Sequence, residues 1–129
     1  MSRKIGLVTL LVHDYDEAIE YYVNKLNFRV VEDVKVSESS RFVVVEPNGS
    51  TASQILLAKA ETEQEKVAVG NQAGGRVFLF LNTDNFYRDY NVMKEKGVTF
   101  LETPREEVYA TVVVFQDIYG NKWDFLQRK

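Results

Sequence analysis

Asp124 is the residue whose setting first raises a chemical question. It stands in FQDIYGNKWDFL, residues 115–126, between Trp123 and Phe125. The stretch reads as strand, tight turn, strand, with Gly120-Asn121 as the turn signal. Alternation along the second strand puts the carboxylate on the face opposite its two aromatic neighbours. A carboxylate taken partly out of water has its pKa raised. That suits a general acid or base, and the group also accepts hydrogen bonds from a bound molecule.

Gln54, in SQILLA, lies seventy residues earlier and is expected to occupy the matching place on a matching strand. Small-molecule sites are mostly apolar with a few placed polar groups, and a Gln54/Asp124 pair fits that description. It equally fits a buried hydrogen-bonded pair that only fills space. Arg41 and Arg76 each open a strand. A guanidinium fork there captures an anion or carbonyl, or forms a strand-end ion pair with one of the 19 acidic residues. The glycines of GGR, 74–76, let a backbone approach closely. Tyr109, near a strand start, offers a ring and a hydroxyl to a planar ligand; aromatics at strand spacing also build cores and interfaces. The only histidine, His13, stands beside a helix cap and reads as a surface residue.

The chain has 129 residues, 45% hydrophobic and 27% charged, with a net charge of −3. That balance suits a soluble globular chain and lacks the basic field a nucleic-acid partner requires. With no cysteine there is no disulfide, thiolate metal site or Cys nucleophile. No stretch approaches the ~18 apolar residues of a membrane span. Phosphate loops, G-x-S-x-G elbows and dinucleotide fingerprints are absent. No signal peptide is evident, and the expected location is the cytoplasm.

What positions these residues is an internal repeat. LLVHDYDEAIEYYVNKLNFRV from Leu10 and FLNTDNFYRDYNVMKEKGVTF from Phe80 follow the same plan. Each begins as an apolar strand and reaches an aspartate, Asp14 or Asp84, suited to a helix N-cap. Glu17 stands three residues after Asp14, a capping-box spacing. Ala18, Ile19, Tyr22, Val23 and Leu26 form one helical stripe; Phe86, Tyr90 and Met93 form the other. Asn27 and Gly97 suit left-handed helix ends. Strands follow: FRVVEDVKV and VTFLET, then RFVVVE and TVVVFQ, with turns PNGS at Pro47 and DIYG at Asp117. Each holds the same offset of seventy.

The predicted fold is therefore α+β, two βαβββ modules forming curved mixed sheets that line a cavity. A single domain spans 1–129, with module one at about 4–59, a connector at about 60–75 and module two at about 76–127. The connector, AETEQEKVAVGNQAGG, reads as a short helix or loop in which Val67 and Val69 pack. At this offset Gln54 superposes on Asp124 and Leu7 on Val77. A slip of more than one residue would remove that equivalence and with it the ligand argument built on the Gln54/Asp124 pair.

The modules, the Asp-led helix in LVHDYDEAIEYY, the stretch GGRVFLFL and the hairpin YGNKWDFL together resemble the vicinal oxygen chelate superfamily across the whole chain. That group includes glyoxalase I, extradiol dioxygenases and the fosfomycin- and bleomycin-resistance proteins. The resemblance implies metal ligands on the first and last strand of each module, here Leu7, Gln54, Val77 and Asp124. Leu7 and Val77 cannot ligate, so no metal or other cofactor is expected. The resemblance implies a homodimer that binds or sequesters a small molecule, with Gln54, Asp124, Arg76, Arg41 and Tyr109 as ligand-binding candidates. The alternative is a lyase, isomerase or dioxygenase-like enzyme using Asp124 as acid or base, or a weakly held divalent metal.

Overall fold

The computed structural model describes residues 1–49 and 53–129, so Ser50 of the predicted PNGS turn lies outside the described residues. The chain divides into two compact units, 1–69 and 70–129.

In the first unit, β1 (Leu7–Val12) leads into α1 (Tyr15–Asn24), β2 (Phe28–Lys35), β3 (Arg41–Pro47), β4 (Gln54–Lys59) and α2 (Glu63–Ala68). The sheet order is β1-β4-β3-β2. β1 runs parallel to β4, the other pairs are antiparallel, and β1 therefore reaches its partner only through the helix crossover. Asp14 caps α1 by accepting from the Glu17 amide at 2.8 Å. Ala18, Tyr22 and Leu26 are buried as the stripe predicts, and Tyr21 is buried too. They face Leu10, Val12, Val43, Val45, Ile55 and Leu57, with Tyr22 set edge-on to Phe28 at 5.3 Å. Removing each such side chain from water contributes about 1.5–3 kcal/mol. Asn27 takes φ 58°, the left-handed step that turns the helix exit into β2. The full capping box belongs to α2, where Thr62 and Glu65 satisfy each other's backbone amides. Val67 of α2 is exposed, contrary to the sequence expectation, because so short a helix buries no face.

In the second unit, β5 (Val77–Asn82), α3 (Phe86–Glu95), β6 (Thr99–Phe100), β7 (Arg105–Glu106), β8 (Ala110–Gln116) and β9 (Lys122–Arg128) follow in order. The sheet runs β5-β9-β8-β6, with β7 also pairing with β8. Together the units make a mixed α+β architecture with two mixed sheets and, among the described residues, three helices. Phe86 anchors α3: its ring stacks on Tyr90 at 5.7 Å and lies 5.3 Å from Phe125. Gly97 exits the helix at φ 87°.

Two sequence expectations change here. The N-cap of α3 is Asn85, whose side chain accepts from the Arg88 amide at 3.3 Å; Asp84 instead pairs with the Arg88 guanidinium. A neutral cap leaves the neighbouring carboxylate free for the i,i+4 ion pair. The predicted strand VTFLET is also broken, with only Thr99 and Phe100 in β6. Pro104 has no amide to give the ladder. The Glu102 carboxylate bridges the gap by accepting from the Val114 amide at 3.0 Å.

Candidate functional site

Each sheet carries a helix on one face, and the chemistry lies on the other. On β9, Trp123 and Phe125 point to the helix side: Trp123 stacks on Phe115 at 5.8 Å, and Phe125 meets Phe86 of α3. Asp124 points away from the helix, as alternation predicts. Its cross-strand partners are Phe80, 64% exposed, and Val114. The carboxylate is half-buried. Burial pushes its pKa above the ordinary range, the nearby Arg105 guanidinium pulls it back, and Glu102 adds to the rise. Arg105 is itself held by Glu102 at 3.0 Å and Glu107 at 3.2 Å. The Glu102 carboxylate therefore bonds the Val114 backbone and Arg105 together. Neither residue stood out in the sequence; glutamates near a strand end read as ordinary surface charge.

A raised carboxyl pKa has a definite sign for stability. The folded protein binds the Asp124 proton more tightly than the unfolded chain does. Its contribution is thus fully present below the unfolded pKa and lost as pH rises through the folded one. Asp124→Asn, neutral throughout, is expected to melt at or above the wild-type temperature at pH 7. That advantage should be gone near pH 3, below the ordinary aspartate pKa of about 3.9, where the group is protonated in both folded and unfolded chains. Thermal unfolding at the two pH values checks it.

The first unit holds a different arrangement. A row runs across the helix-free face from Arg29 on β2 through Glu46 on β3 to Gln54 on β4 and Leu7 on β1. Glu46 is 1% exposed. Arg29 Nε donates to its Oε2 at 2.6 Å and Gln54 Nε2 to its Oε1 at 3.0 Å. The Gln54 bond, and next the Arg29 bond, hold the Glu46 carboxyl below the usual range despite burial. Glu46 was missed in the sequence because RFVVVE reads as a strand whose polar end lies at the surface. Alternation alone shows that it shares a face with Val44.

The structure corrects the expected equivalence of Gln54 with Asp124. Leu7 pairs with Gln54, but Val77 pairs with Lys122. Glu46 lies beside Gln54, and Gln116, seventy residues after Glu46, pairs with Lys122. Lys122 therefore takes the place of Gln54, two residues before Asp124. The counterpart of Asp124 is Leu56, opposite Val44 as Asp124 is opposite Val114. The hairpin joining β8 to β9 is two residues shorter, which accounts for the shift; beyond it a bulge in β5 between Val77 and Leu79 sets Phe80, and not Leu79, opposite Asp124. This slip of two removes the argument that the repeat pairs Gln54 with Asp124 in one ligand site; being even, it preserves the face, so Asp124 still points away from the helix.

The other candidates lie elsewhere within their units. Arg41 donates to Asp33 through two nitrogens at 3.1 and 2.7 Å and to Asp16 at 2.9 Å, with its guanidinium over the Tyr15 ring. Asp33 is held below its ordinary pKa chiefly by the Arg41 hydrogen bonds. This network borders a polar cleft of about 500 Å³ that Lys35, Lys59 and Ser37–Ser40 also line. Arg76 is exposed and borders a small recess of about 20 Å³ between the 70–76 loop and Gly120–Lys122. That recess has room for about one water. Lys122 closes it by donating to the Gly75 carbonyl at 3.1 Å. Tyr109 is 52% exposed and holds the Lys129 amide through its backbone carbonyl. His13 is exposed.

The residues at the implied metal positions do not suit a metal. Leu7 and Val77 have no donor atom, and Gln54 is hydrogen-bonded to Glu46. Among the described residues no three His, Cys, Asp or Glu side chains converge. Such a set lacks the several oriented ligands a stable site needs.

Comparison with known proteins adds independent findings. The sequence pattern of the family described as Glyoxalase/Bleomycin resistance protein/Dioxygenase superfamily matches residues 4–125. An uncharacterised protein of Shewanella frigidimarina (strain NCIMB 400) is 52% identical over 128 residues, covering 98% of this chain and 95% of its own. The crystal structure of UcmS2 superposes with a TM-score of 0.85 at 27% identity, covering 98% of both chains. That of TnmS3, an antibiotic binding protein from Streptomyces sp. CB03234, has the same fold, with a TM-score of 0.80 at 22% identity over 100% of this chain and 98% of that one.

Proposed function

We propose, for a chain that belongs to the glyoxalase/bleomycin resistance protein/dioxygenase superfamily, that it binds a small organic molecule without the metal used by enzymes of that group. The observation that carries this reading is Asp124. A half-buried carboxylate stands beside the exposed Phe80 ring and Val114 on a sheet face that no helix of its unit covers. An apolar surface with one oriented acceptor is the make-up of a ligand site. On the second unit Asp124 would accept a hydrogen bond from the molecule, with Arg76 and Tyr109 as candidate contacts of that unit; Gln54 and Arg41 are the candidate ligand contacts of the first unit. The fold also serves TnmS3, an antibiotic binding protein. The protein would act in the cytoplasm as a homodimer; Val34 and Val36, exposed on or beside the edge strand β2, are the kind of surface a partner copy covers.

One observation favours a second reading. The raised pKa of Asp124 keeps a proton available closer to neutrality than an ordinary aspartate does, which suits acid–base catalysis by a lyase or isomerase.

A thermal-shift screen of aromatic antibiotics and aromatic metabolites separates these readings. A ligand at one hundred times its Kd stabilises the folded state by about 2.7 kcal/mol, a readable rise in Tm. The expected result is stabilisation by at least one compound, much reduced in Asp124→Asn, with no turnover and no change on adding zinc, nickel or manganese. Turnover that disappears in Asp124→Asn would favour the enzyme. One equivalent of divalent metal surviving dialysis in the wild type and lost in Asp124→Asn would overturn the metal-free reading.

A further inference from the structure

We infer that Glu46 is a positioning residue that locks the Gln54 carboxamide in one of its two orientations, so that the first unit's helix-free face selects ligands bearing a hydrogen-bond donor. The inference rests on the small-molecule reading above. A glutamine amide has a donor end and an acceptor end of nearly equal shape, and rotating it by a half-turn exchanges them. A site that leaves the amide free accepts either kind of ligand. Here the choice is made by Glu46. An ionised carboxylate only accepts, so only the NH2 end of Gln54 can satisfy it. Arg29 keeps the carboxylate ionised by donating to its other oxygen, and Gln54 Nε2 takes Oε1 at 3.0 Å.

The consequence falls on the opposite end of the amide. With Nε2 committed to the buried Glu46, Oε1 is turned the other way, and no described residue donates to it. Gln54 is half-buried, and its cross-strand neighbour Leu7 is 38% exposed. The ligand therefore meets a fixed carbonyl oxygen beside an aliphatic surface. A phenol, amine or amide N–H set on an apolar ring fits this. A carbonyl or ether in the same place meets oxygen against oxygen and leaves Oε1 without a donor, a loss of the order of tenfold or more in affinity.

Two measurements test the two halves. In 15N-labelled protein, with the Gln54 side-chain signals assigned through Gln54→Met, the two amide protons should be widely separated, and the one facing Glu46 should exchange slowly with water. Both features should collapse in Glu46→Leu; if that variant does not fold, Glu46→Gln should weaken them. Signals in the wild type that match a freely solvated glutamine would overturn the orientation. The ligand half uses 2-naphthol against 2-methoxynaphthalene, in which a methyl group replaces the hydroxyl proton and removes the donor. Wild type should bind the naphthol about tenfold more tightly, Gln54→Met should bind the two alike, and Glu46→Gln should fall between. Equal binding in the wild type, or a preference that survives in Gln54→Met, would overturn the selectivity. Failure of both probes to bind, with the amide signature intact, would count against the small-molecule reading and its ligand class but leave the orientation standing.

Discussion

Gly70→Ala is expected to destabilise the protein by about 2–5 kcal/mol, a fall in Tm of roughly 10 °C or more. Gly70 has φ 76°, a left-handed conformation that costs an L-residue about 1–2 kcal/mol. The second part of the effect is steric. A Cβ built at Gly70 would stand 1.9 Å from the Tyr119 carbonyl oxygen and 2.9 Å from its carbonyl carbon. Both are backbone atoms of the turn before β9, so no side chain can swing aside. The start of the 70–76 loop would have to lift off the turn. Gly74→Ala is the matched control: φ is 65°, but nothing lies within 4 Å of the added carbon. It should lose only the conformational part. Urea unfolding of the two variants separates the terms. Equal losses would show that the loop yields without strain.

The second large effect is expected at Asp117, which is 4% exposed. Its Oδ1 accepts from the amides of Tyr119 and Asn121, each at 2.9 Å, and its Oδ2 accepts from Asn121 Nδ2 at 2.8 Å. The backbone closes the same turn, with the Asp117 amide donating to the Asn121 carbonyl and the Gly120 amide to the Asp117 carbonyl. Asp117→Ala would strand several donors, at least one of them buried, each costing about 1–3 kcal/mol when unsatisfied; a total near 2–4 kcal/mol is expected. Asp117→Asn keeps Oδ1 for the two amides and should lose much less. The turn fixes where β9 begins and so which side chains stand opposite Val114. Asp117→Ala should therefore broaden or shift the amide signals of Trp123, Asp124 and Phe125 as well as lower stability. A normal spectrum for those three residues, with only a lower Tm, would show that the register of β9 does not depend on the turn.

These two positions mark where sequence reading stops. The period-3.6 stripes of Ala18, Tyr22 and Leu26, and of Phe86 and Met93, identified both helices, because burial of one face is a local property of the pattern. Asn27 and Gly97 marked both helix exits, because few residues tolerate positive φ. Alternation placed Trp123 and Phe125 against Asp124 on opposite faces, and the packing of Phe125 on Phe86 agrees. The repeated order of strand, helix and three strands followed from the same signals.

Only the tertiary structure decided the register. A period of two tells which face a side chain takes, and a shift of two residues leaves that face unchanged. The sequence could not separate Asp124 from Lys122 as the counterpart of Gln54; the shorter β8–β9 turn, held by Asp117, made the choice. Glu46 became a buried acceptor because Arg29 and Gln54, seventeen residues before it and eight after it, converge on its two oxygens. Glu102 took the place of a missing strand carbonyl by accepting from the Val114 amide where β6 breaks off. Each of these depends on which strands lie side by side. Local propensity carries the elements and their faces, whereas the polar partners of a buried carboxylate are set by pairings distant along the chain.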